Sequence, residues 1–155
     1  MAKYQPGLSI QGIQEAQAAN LQVIAALQPS GALGAAVKYA TLAAHRYSVA
    51  VTHVGKYRVP KRILKSGKRS RATTRWVGGG ALRASHRAEI SGLTGRIFID
   101  PSSINPRRPQ GARPAEYGIY EHKRSGQHAF YARVESEYGD KIVAQARGII
   151  YRAMP

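Results

Sequence analysis

The first third of the chain carries apolar residues at helical spacing. Between Ser9 and Pro29 they recur every three or four positions, which predicts an amphipathic helix with Ser9 as its N-cap and Pro29 at its end. A second stripe of the same period covers residues 33–51, and Ser30 is the expected N-cap of that helix. Both segments are rich in alanine, whose small side chain lets helices approach closely. Residues 9–54 are therefore predicted to form an αα-hairpin or one kinked long helix.

After Arg75 the pattern changes from helical spacing to alternation. Apolar and polar residues alternate over residues 82–90, which predicts a half-buried strand. Residues 91–95 are expected to turn the chain, and residues 96–100 to form the returning strand, which ends at Pro101. The two segments are predicted to pair as an antiparallel hairpin whose turn is slightly longer than the tightest type.

The remaining segments predict a loop, a short β element and a closing helix. Residues 102–114 contain three prolines and three arginines without apolar periodicity, which is typical of a functional or flexible loop. Residues 115–121 are predicted as a short strand or turn that rejoins the sheet. Helical spacing returns over residues 128–153, although Gly139 weakens the middle and Asp140 is placed to start a fresh helical segment there.

Together these segments predict an α+β fold. A small antiparallel β-sheet packs with an N-terminal helical segment and a long C-terminal helix, and an extended basic loop is added to it. The 155 residues suit a single domain, in which residues 1–8 are a loose terminus, residues 55–77 a basic mobile arm, and residues 78–121 the β-sheet with its long loop. No stretch approaches the roughly 18 uninterrupted apolar residues of a transmembrane helix, and the N-terminal residues lack a signal-peptide pattern, so no membrane partner is expected.

Charge is the strongest feature of the composition. The chain has 24 Lys and Arg residues against 8 Asp and Glu residues, a formal net charge of +16. No acid occurs between Glu15 and Glu89, while that span holds 13 Lys or Arg residues. A field of this sign favours a polyanionic partner, most simply nucleic acid, or an acidic protein surface. The alternative is a solvated basic surface that aids solubility.

The basic residues crowd into the predicted arm, where like charges repel one another and oppose compaction. We expect an extended arm or a long mobile hairpin that contacts phosphates or an acidic neighbouring subunit. The candidate contact residues of the arm are Lys56, Arg58, Lys61, Arg62, Lys65, Lys68, Arg69, Arg71 and Arg75. A second candidate interface is the loop, with Asn105, Arg107, Arg108 and Arg113.

No pattern in the chain predicts catalysis. The absence of cysteine excludes disulfides, thiolate metal ligands and thiol catalysis. The eight acids are scattered, the five histidines show no metal-ligand spacing, and Gly78-Gly79-Gly80 lacks the Lys-Ser/Thr of a P-loop. His45 and His53 are interpreted as incidental, and His86 as a half-buried structural histidine. We predict a non-enzymatic protein with no cofactor and no catalytic or metal site.

Three segments of the chain resemble a known protein family. Gly80-Ala81-Leu82-Arg83-Ala84-Ser85 is followed by Gly95-Arg96-Ile97-Phe98-Ile99-Asp100-Pro101-Ser102, then by Glu116-Tyr117-Gly118-Ile119-Tyr120-Glu121. In this order, with His128-Ala129-Phe130-Tyr131 opening the last helix, they resemble the tail-completion, or head-to-tail joining, proteins of the neck of long-tailed bacteriophages, also called minor tail components. The sequence motifs of the family match residues 78–131, and the order of its predicted helices and strands agrees with residues 9–153. This chain departs from the family at two points. Family members have Thr-Gly where this chain has Gly79-Gly80, and Pro where this chain has Ala129.

The resemblance implies an α+β protein that forms a ring, usually a hexamer, in the phage neck. Such a ring joins the head connector to the tail tube and surrounds the channel through which DNA leaves. The implied partners are further copies of the chain, head connector or adaptor proteins, the tail terminator or tail tube protein, and phage DNA. The implied location is the virion, after assembly in the cytoplasm of the bacterial host.

Other interpretations stay open. The charge of +16 also suits a stand-alone nucleic-acid-binding protein, such as a ribosome- or nucleoid-associated protein. Another structural ring of the same particle, the tail terminator or a head-completion protein, is separated poorly by sequence. A small nuclease needs clustered carboxylates for Mg²⁺, and the long acid-free span argues against it.

Overall fold

The computed structural model describes residues 10–54, 56–60, 74–78, 80–106 and 109–154. These residues form an α+β fold, as predicted, with helices at both ends and strands between them. The helices are α1 (Ile10–Ala26), α2 (Ala32–Val51), α3 (Ala81–Ala84), α4 (Pro114–Lys123) and α5 (Phe130–Tyr151). The strands are β1 (Lys56–Pro60), β2 (Thr74–Gly78), β3 (His86–Ser91) and β4 (Thr94–Ile99), paired antiparallel as two separate sheets, β1 with β2 and β3 with β4.

The N-terminal segment forms two separate helices joined by a tight turn. α1 ends before Pro29, as the sequence predicted. The prediction that Ser30 caps α2 is wrong, because Gly31 occupies the N-cap position without a side-chain hydrogen bond. Ser9, the predicted cap of the first helix, lies outside the described residues. α1 makes few contacts with the other described elements, so the two helices do not pack along each other as an extended αα-hairpin.

Replacement of Gly34 by alanine is expected to destabilise the connection between α1 and α2. A Cβ at position 34 would lie 1.7 Å from the carbonyl oxygen of Pro29, a backbone atom that moves only if the turn opens. We expect a loss of about 1–3 kcal/mol in the free energy of unfolding, even though alanine is the better helix former. Thermal denaturation followed by circular dichroism measures the loss.

The matched control for this prediction is Gly139→Ala in α5. A Cβ at position 139 meets no atom within 4 Å, so alanine there is expected to raise the free energy of unfolding by about 0.5–1 kcal/mol. Equal effects of the two substitutions would contradict the role given to the turn.

The core of the fold lies between α2, α5 and the β3–β4 hairpin. α2 packs against α5 and against both strands of that hairpin. Phe130 is the largest fully buried side chain, and Val134 and Ile142 continue its buried face along α5. Tyr47 of α2 stacks on Tyr138 of α5, with ring centroids 4.0 Å apart. The apolar period that predicted the last helix therefore marks the face that meets α2.

α5 runs past Gly139 and Asp140 without a break, so the predicted fresh start at Asp140 is wrong. The helix begins at Phe130, after a 3₁₀ turn at Gly126–His128, slightly later than predicted. Buried side chains on both sides of Gly139 anchor α5 in the core. Tertiary packing of this kind outweighs the low helix propensity of one glycine.

The β3–β4 hairpin confirms the predicted antiparallel pair, with two corrections. Residues 82–84 belong to α3 instead of the strand, because Gly80, at a φ of 83°, turns the chain into a short helical segment. The connecting turn is also tighter than predicted, since Ser91 pairs with Thr94 and leaves only two residues between the strands. Gly92, at a φ of 57°, supplies the positive φ that a type II′ turn requires at its first position.

The prediction of a strand or turn at residues 115–121 is wrong, because this segment lies within α4. Pro114 stands in the first turn of α4, where backbone N–H groups have no partner within the helix, so the missing N–H of proline costs no hydrogen bond. The Glu116 carboxylate accepts a hydrogen bond from the backbone N–H of the N-cap residue Arg113 at 3.0 Å. A Cβ on Gly118 would lie 2.6 Å from Cδ1 of Ile99, so glycine permits close packing of α4 on β4. α4 therefore covers β4 and does not extend the sheet.

Two arginines outside the predicted arm cap the C-terminal end of α2. Arg83 Nη2 donates hydrogen bonds to the carbonyl oxygens of Ala50 and Thr52 at 3.1 and 2.9 Å. Arg133 Nη1 donates to the carbonyl oxygen of Val51 at 3.4 Å. The last carbonyls of a helix lack intrahelical partners and carry partial negative charge, so both cations stabilise the helix end. These two arginines serve the fold.

Candidate interaction surfaces

The predicted basic arm begins and ends as a two-stranded hairpin. β1 pairs with β2 in a register that sets Arg58 opposite Trp76 and Val59 opposite Arg75. Because successive positions of a strand alternate between its faces, position 58 belongs to one face of the hairpin and position 75 to the other. β1 and β2 contact mainly each other among the described elements. Of the two forms predicted for the arm, the described part has the form of a hairpin.

The hairpin strands hold three of the predicted arm residues, Lys56, Arg58 and Arg75. Of the predicted contact residues, the following lie outside the described residues: Lys61, Arg62, Lys65, Lys68, Arg69, Arg71, Arg107 and Arg108. Their role as partner contacts stays a prediction from charge.

Acidic side chains of the main fold are engaged by partners close to them. The ion pairs are Glu89 with Arg96, Asp100 with Arg87, Glu121 with Arg124, and Glu137 with Arg133, at nitrogen–oxygen distances of 2.7, 3.6, 3.2 and 2.7 Å. All of these partners lie after the arm in the chain. These four carboxylates therefore neutralise arginines of the main fold.

The loop that follows β4 starts with a well-bonded turn. The Asp100 carboxylate accepts hydrogen bonds from the backbone N–H and the hydroxyl of Ser102, at 2.8 and 2.6 Å. These bonds, aided by Ser103 and Arg87, hold the pKa of Asp100 below its ordinary value. The Pro101-Ser102 turn is thus fixed by an Asx-type arrangement that keeps the carboxylate ionised.

The loop that follows β4 is closed by a hydrogen bond and lines two cavities. Arg113 Nη1 donates a hydrogen bond to the carbonyl oxygen of Pro101 at 3.2 Å, which joins the two ends of the loop. Asn105, between these ends, lines a cavity of about 460 Å³ together with Gly80, which follows β2 closely in the chain. A second cavity of about 310 Å³ is also lined by Asn105 and Gly80. Of the predicted interface residues that the structure describes, Asn105 is the one that lines these two cavities.

The larger cavity is lined by a polar cluster that was not predicted from the sequence. His128 Nδ1 donates to Glu121 Oε2 at 2.7 Å, and Arg124 Nη1 donates to Glu121 Oε1 at 3.2 Å. The exposed His53 meets the His128 ring edge-on, with centroids 5.0 Å apart. The sequence offered no partner for His53, and the fold gives it this one. Burial, and secondarily the charge of Glu121, raise the pKa of Tyr117 in the same lining. Tyr117, Glu121, Arg124 and His128 follow one another three or four residues apart, so their spacing was a local signal, whereas His53 joins them only through the fold.

His86 is more deeply buried than predicted, with 2% of its surface exposed. The Thr52 hydroxyl donates to the carbonyl oxygen of Ser48 at 2.6 Å, so its oxygen accepts the hydrogen of His86 Nε2, 2.9 Å away. His86 Nδ1 then accepts a long hydrogen bond from the Tyr131 hydroxyl at 3.4 Å. The network suits a neutral imidazole and gives His86 a structural role.

Acidification is expected to destabilise the fold through His86. Burial, and secondarily the charge of His45, lower the pKa of His86 from 6.5 to about 4. As the pH falls through 6.5 the unfolded chain binds a proton at this ring, whereas the folded chain does not until about pH 4. The stability is therefore complete above pH 6.5 and lost progressively down to about pH 4. The total loss is on the order of 3 kcal/mol.

Urea denaturation across this pH interval measures the effect. The free energy of unfolding of the wild type should fall with pH, and most of that slope should disappear in His86→Gln, which keeps a donor for Thr52. His53→Gln is the control, because His53 is exposed and should leave the slope in place. An unchanged slope in His86→Gln would show that other groups carry the pH dependence.

Large apolar side chains lie on the surface of four helices. They are Leu21 and Ile24 of α1, Leu42 of α2, Ile119 and Tyr120 of α4, and Val143 and Tyr151 of α5. The buried apolar side chains among the described residues are Ala26, Ala36, Leu82, Phe130, Val134 and Ile142. So much apolar surface beside so small a core is typical of a chain that buries more area on assembly.

Within the part of the chain that the structure describes, no group of three or more His, Asp or Glu residues could hold a metal ion. None of the helices in that part is long and apolar enough to cross a membrane. What the described surfaces offer is cationic, hydrogen-bonding and apolar contact.

Comparison with known proteins adds no relative to this picture. No protein-family model, curated protein or solved structure matches the chain. The fold and its surfaces define a small α+β protein with a basic hairpin and several exposed apolar faces, and its function has to be inferred from these features.

Proposed function

We propose that this chain is a structural virion protein of a tailed bacteriophage. In this proposal it forms a ring in the neck, joins the head connector to the tail tube, and surrounds the channel through which DNA leaves. The order of its motifs is the observation that carries the proposal. Residues 80–85, 95–102 and 116–121 and the aromatic opening of the last helix at Phe130 occur in the order typical of the joining family.

The structural setting of these motifs agrees with the proposal in two places and differs in two, the first being residues 81–84, which form α3 where the resemblance implied entry into a strand. Residues 95–102 form β4 and the bonded turn after it, and α5 opens at Phe130 beside the β3–β4 hairpin. Residues 116–121 lie in a helix, where the resemblance implied a strand. The order of the segments along the chain is unaffected by these differences.

The exposed apolar faces support a role in an assembly. A contact between two different patches of identical subunits closes into a ring when its rotation allows, and exposed apolar side chains on α1, α4 and α5 offer such patches. Exposed apolar area of this kind is ordinary for a subunit whose neighbours cover it.

The basic arm supports contact with a polyanion or with an acidic ring. Four carboxylates of the main fold pair with arginines that follow the arm in the chain, and no acid occurs between Glu15 and Glu89. A positive arm suits either DNA in the lumen of a ring or the acidic face of a neighbouring ring in the same neck. The same features suit the tail terminator or a head-completion ring.

A second candidate function is stand-alone nucleic-acid binding, which the net charge of +16 favours. Neutralising phosphates releases counterions, so such binding weakens steeply as salt increases. Assembly therefore distinguishes the two functions better than affinity for DNA.

Light scattering of the purified protein, with and without duplex DNA across a salt series, tests the proposal. A discrete ring supports the joining protein. A monomer indifferent to DNA at physiological salt also supports it, because the ring then forms only on its partner. A monomer that binds DNA in a salt-sensitive way, without any larger assembly, favours the stand-alone nucleic-acid-binding protein.

A further inference from the structure

α1 presents an apolar face that its own chain does not cover. Leu21 and Ile24 near the C-terminal end of α1, and Leu27 just after that end, follow one another three residues apart, with 66%, 54% and 44% of their surfaces exposed. An apolar stripe on a helix marks the side that packs against something. The few contacts that α1 makes with other described elements leave this stripe open.

An apolar groove lies elsewhere on the same chain. It is a cavity of about 280 Å³ between α2, β4 and α5, and its accessible wall is almost entirely apolar. The lining residues that matter most are Ile97 of β4 and Gly139, Ile142 and Val143 of α5. Val143 is 48% exposed, so part of the groove faces solvent and can receive another apolar group.

Gly139 is the feature that links the groove to an outside partner. It stands in the interior of α5, where glycine is the least favourable residue apart from proline. A Cβ at this position would meet no atom within 4 Å, so no contact inside the protomer requires glycine. Absence of a side chain keeps the groove open and lets a partner helix approach the backbone of α5 closely.

The charge distribution favours a second copy of this chain as the partner. α1 contains no Lys or Arg, and neither does the lining of the groove, in a protein with 24 such residues. Two copies that each carry a net charge of +16 repel one another over most of their surfaces. Contact between α1 and the groove joins two regions free of that repulsion.

We propose that α1 of one copy docks its Leu21–Ile24–Leu27 stripe into the groove around Gly139 of the next copy. The contact joins two different patches of the chain. A pair of copies therefore still has one unoccupied stripe and one unoccupied groove, and further copies add until the ring closes. This inference rests on the proposed ring and names the subunit contact that builds it.

The absence of cysteine makes disulfide trapping a clean test. Two single variants, Ile24→Cys and Val143→Cys, are purified, mixed and oxidised. We expect a covalent dimer in the mixture and, at the same concentration, far less dimer in either variant alone. The double variant should give a ladder of covalent oligomers. Absence of the mixed dimer, or a double variant that forms only an intramolecular disulfide, overturns the docking.

Filling the groove is the second test. Gly139→Leu should leave the helix content unchanged, because its Cβ meets nothing in the protomer, and should weaken self-association by about tenfold or more. Ala144→Leu is the matched control, since Ala144 is an exposed residue of α5 outside the groove. Equal self-association of the two leucine variants would overturn the docking.

The outcomes separate this inference from the proposed function. A wild-type ring that forms without the mixed disulfide rejects the α1–groove contact and leaves the joining protein in place. Mixed disulfides in open filaments, without any closed ring, support the contact and count against the neck ring.

Discussion

Replacement of Phe130 by alanine is expected to lower the free energy of unfolding by about 3–5 kcal/mol. The ring is 1% exposed at the start of α5, and it meets His86, His122 and Tyr131 with centroids 5.1, 5.0 and 4.6 Å away. Alanine removes these contacts and leaves a cavity that the surrounding helices and hairpin cannot fill by small movements.

A loss of this size threatens the whole fold. Natural domains have a free energy of unfolding of about 5–15 kcal/mol, and the apolar core of this one is small. Chemical denaturation of the purified variant measures the loss. Tyr120→Ala is the control, because Tyr120 is 71% exposed and its replacement should change stability by less than about 0.5 kcal/mol in the isolated chain. A loss below about 1 kcal/mol for the Phe130 variant would show that this ring does not anchor the core.

The proposed function predicts that charge reversal in the basic arm abolishes head–tail joining while leaving the isolated fold intact. The variant carries glutamate at Lys61, Arg62, Lys68 and Arg69. Each substitution changes the charge by two, so the formal net charge falls from +16 to +8. Attraction to DNA or to an acidic ring becomes repulsion at the arm, while the buried core stays unchanged. Electron microscopy of lysates then counts joined particles, free heads and free tails.

A variant with the same net charge is the control for this experiment. Glutamate at Lys38, Lys123, Lys141 and Arg147 reverses four exposed charges on α2, α4 and α5. We expect joined particles from this variant and separate heads and tails from the arm variant. Normal yield from the arm variant, or equal loss from both, would reject the arm as the partner contact. If the arm meets DNA, the salt dependence of DNA binding should also fall by roughly 0.9 in log–log slope per phosphate contact removed.

The proposed α1–groove contact accounts for both the exposed apolar stripe of α1 and the open apolar groove around Gly139. Both are costly for an isolated subunit, since one leaves leucine and isoleucine in water and the other keeps a glycine inside a helix. In an assembly the stripe is buried and the missing side chain becomes the space that receives it. The prediction that Gly139→Ala stabilises the protomer and the prediction that Gly139→Leu weakens self-association follow from the same open space.

The contacts of the histidines could not be predicted from their positions in the chain. Read along the chain, His45, His53 and His86 have no common pattern. In the fold, His45 Nε2 donates to the carbonyl oxygen of His86 at 3.2 Å, and His53 meets the ring of His128. These contacts join residues from different elements, so they depend on packing and not on spacing.

The elements whose signals are local were predictable from the sequence alone. The apolar period of α1, α2 and α5 and the alternation through β3 reflect which side chains share one face, and this follows from backbone geometry. Local signals also existed for α4, where Pro114 and Glu116 stand at favoured positions of the first helical turn. The aromatic and apolar residues of α4 were instead interpreted as a strand because short apolar segments suit both structures.

Only the tertiary structure decided which apolar faces become buried. The periodicity of α1 and of α5 looks alike in sequence, yet Phe130 and Val134 are buried while Leu21 and Ile24 are exposed. α5 lies against α2 and the β3–β4 hairpin, whereas α1 is directed away by the tight turn at Gly31 and Gly34. Periodicity states that a helix has a side to bury, but the path of the chain determines whether the partner belongs to the same molecule. For that reason the sequence predicted an apolar face on both α1 and α5, and only the tertiary structure decided that the face of α5 belongs to the core while the stripe of α1 stays exposed.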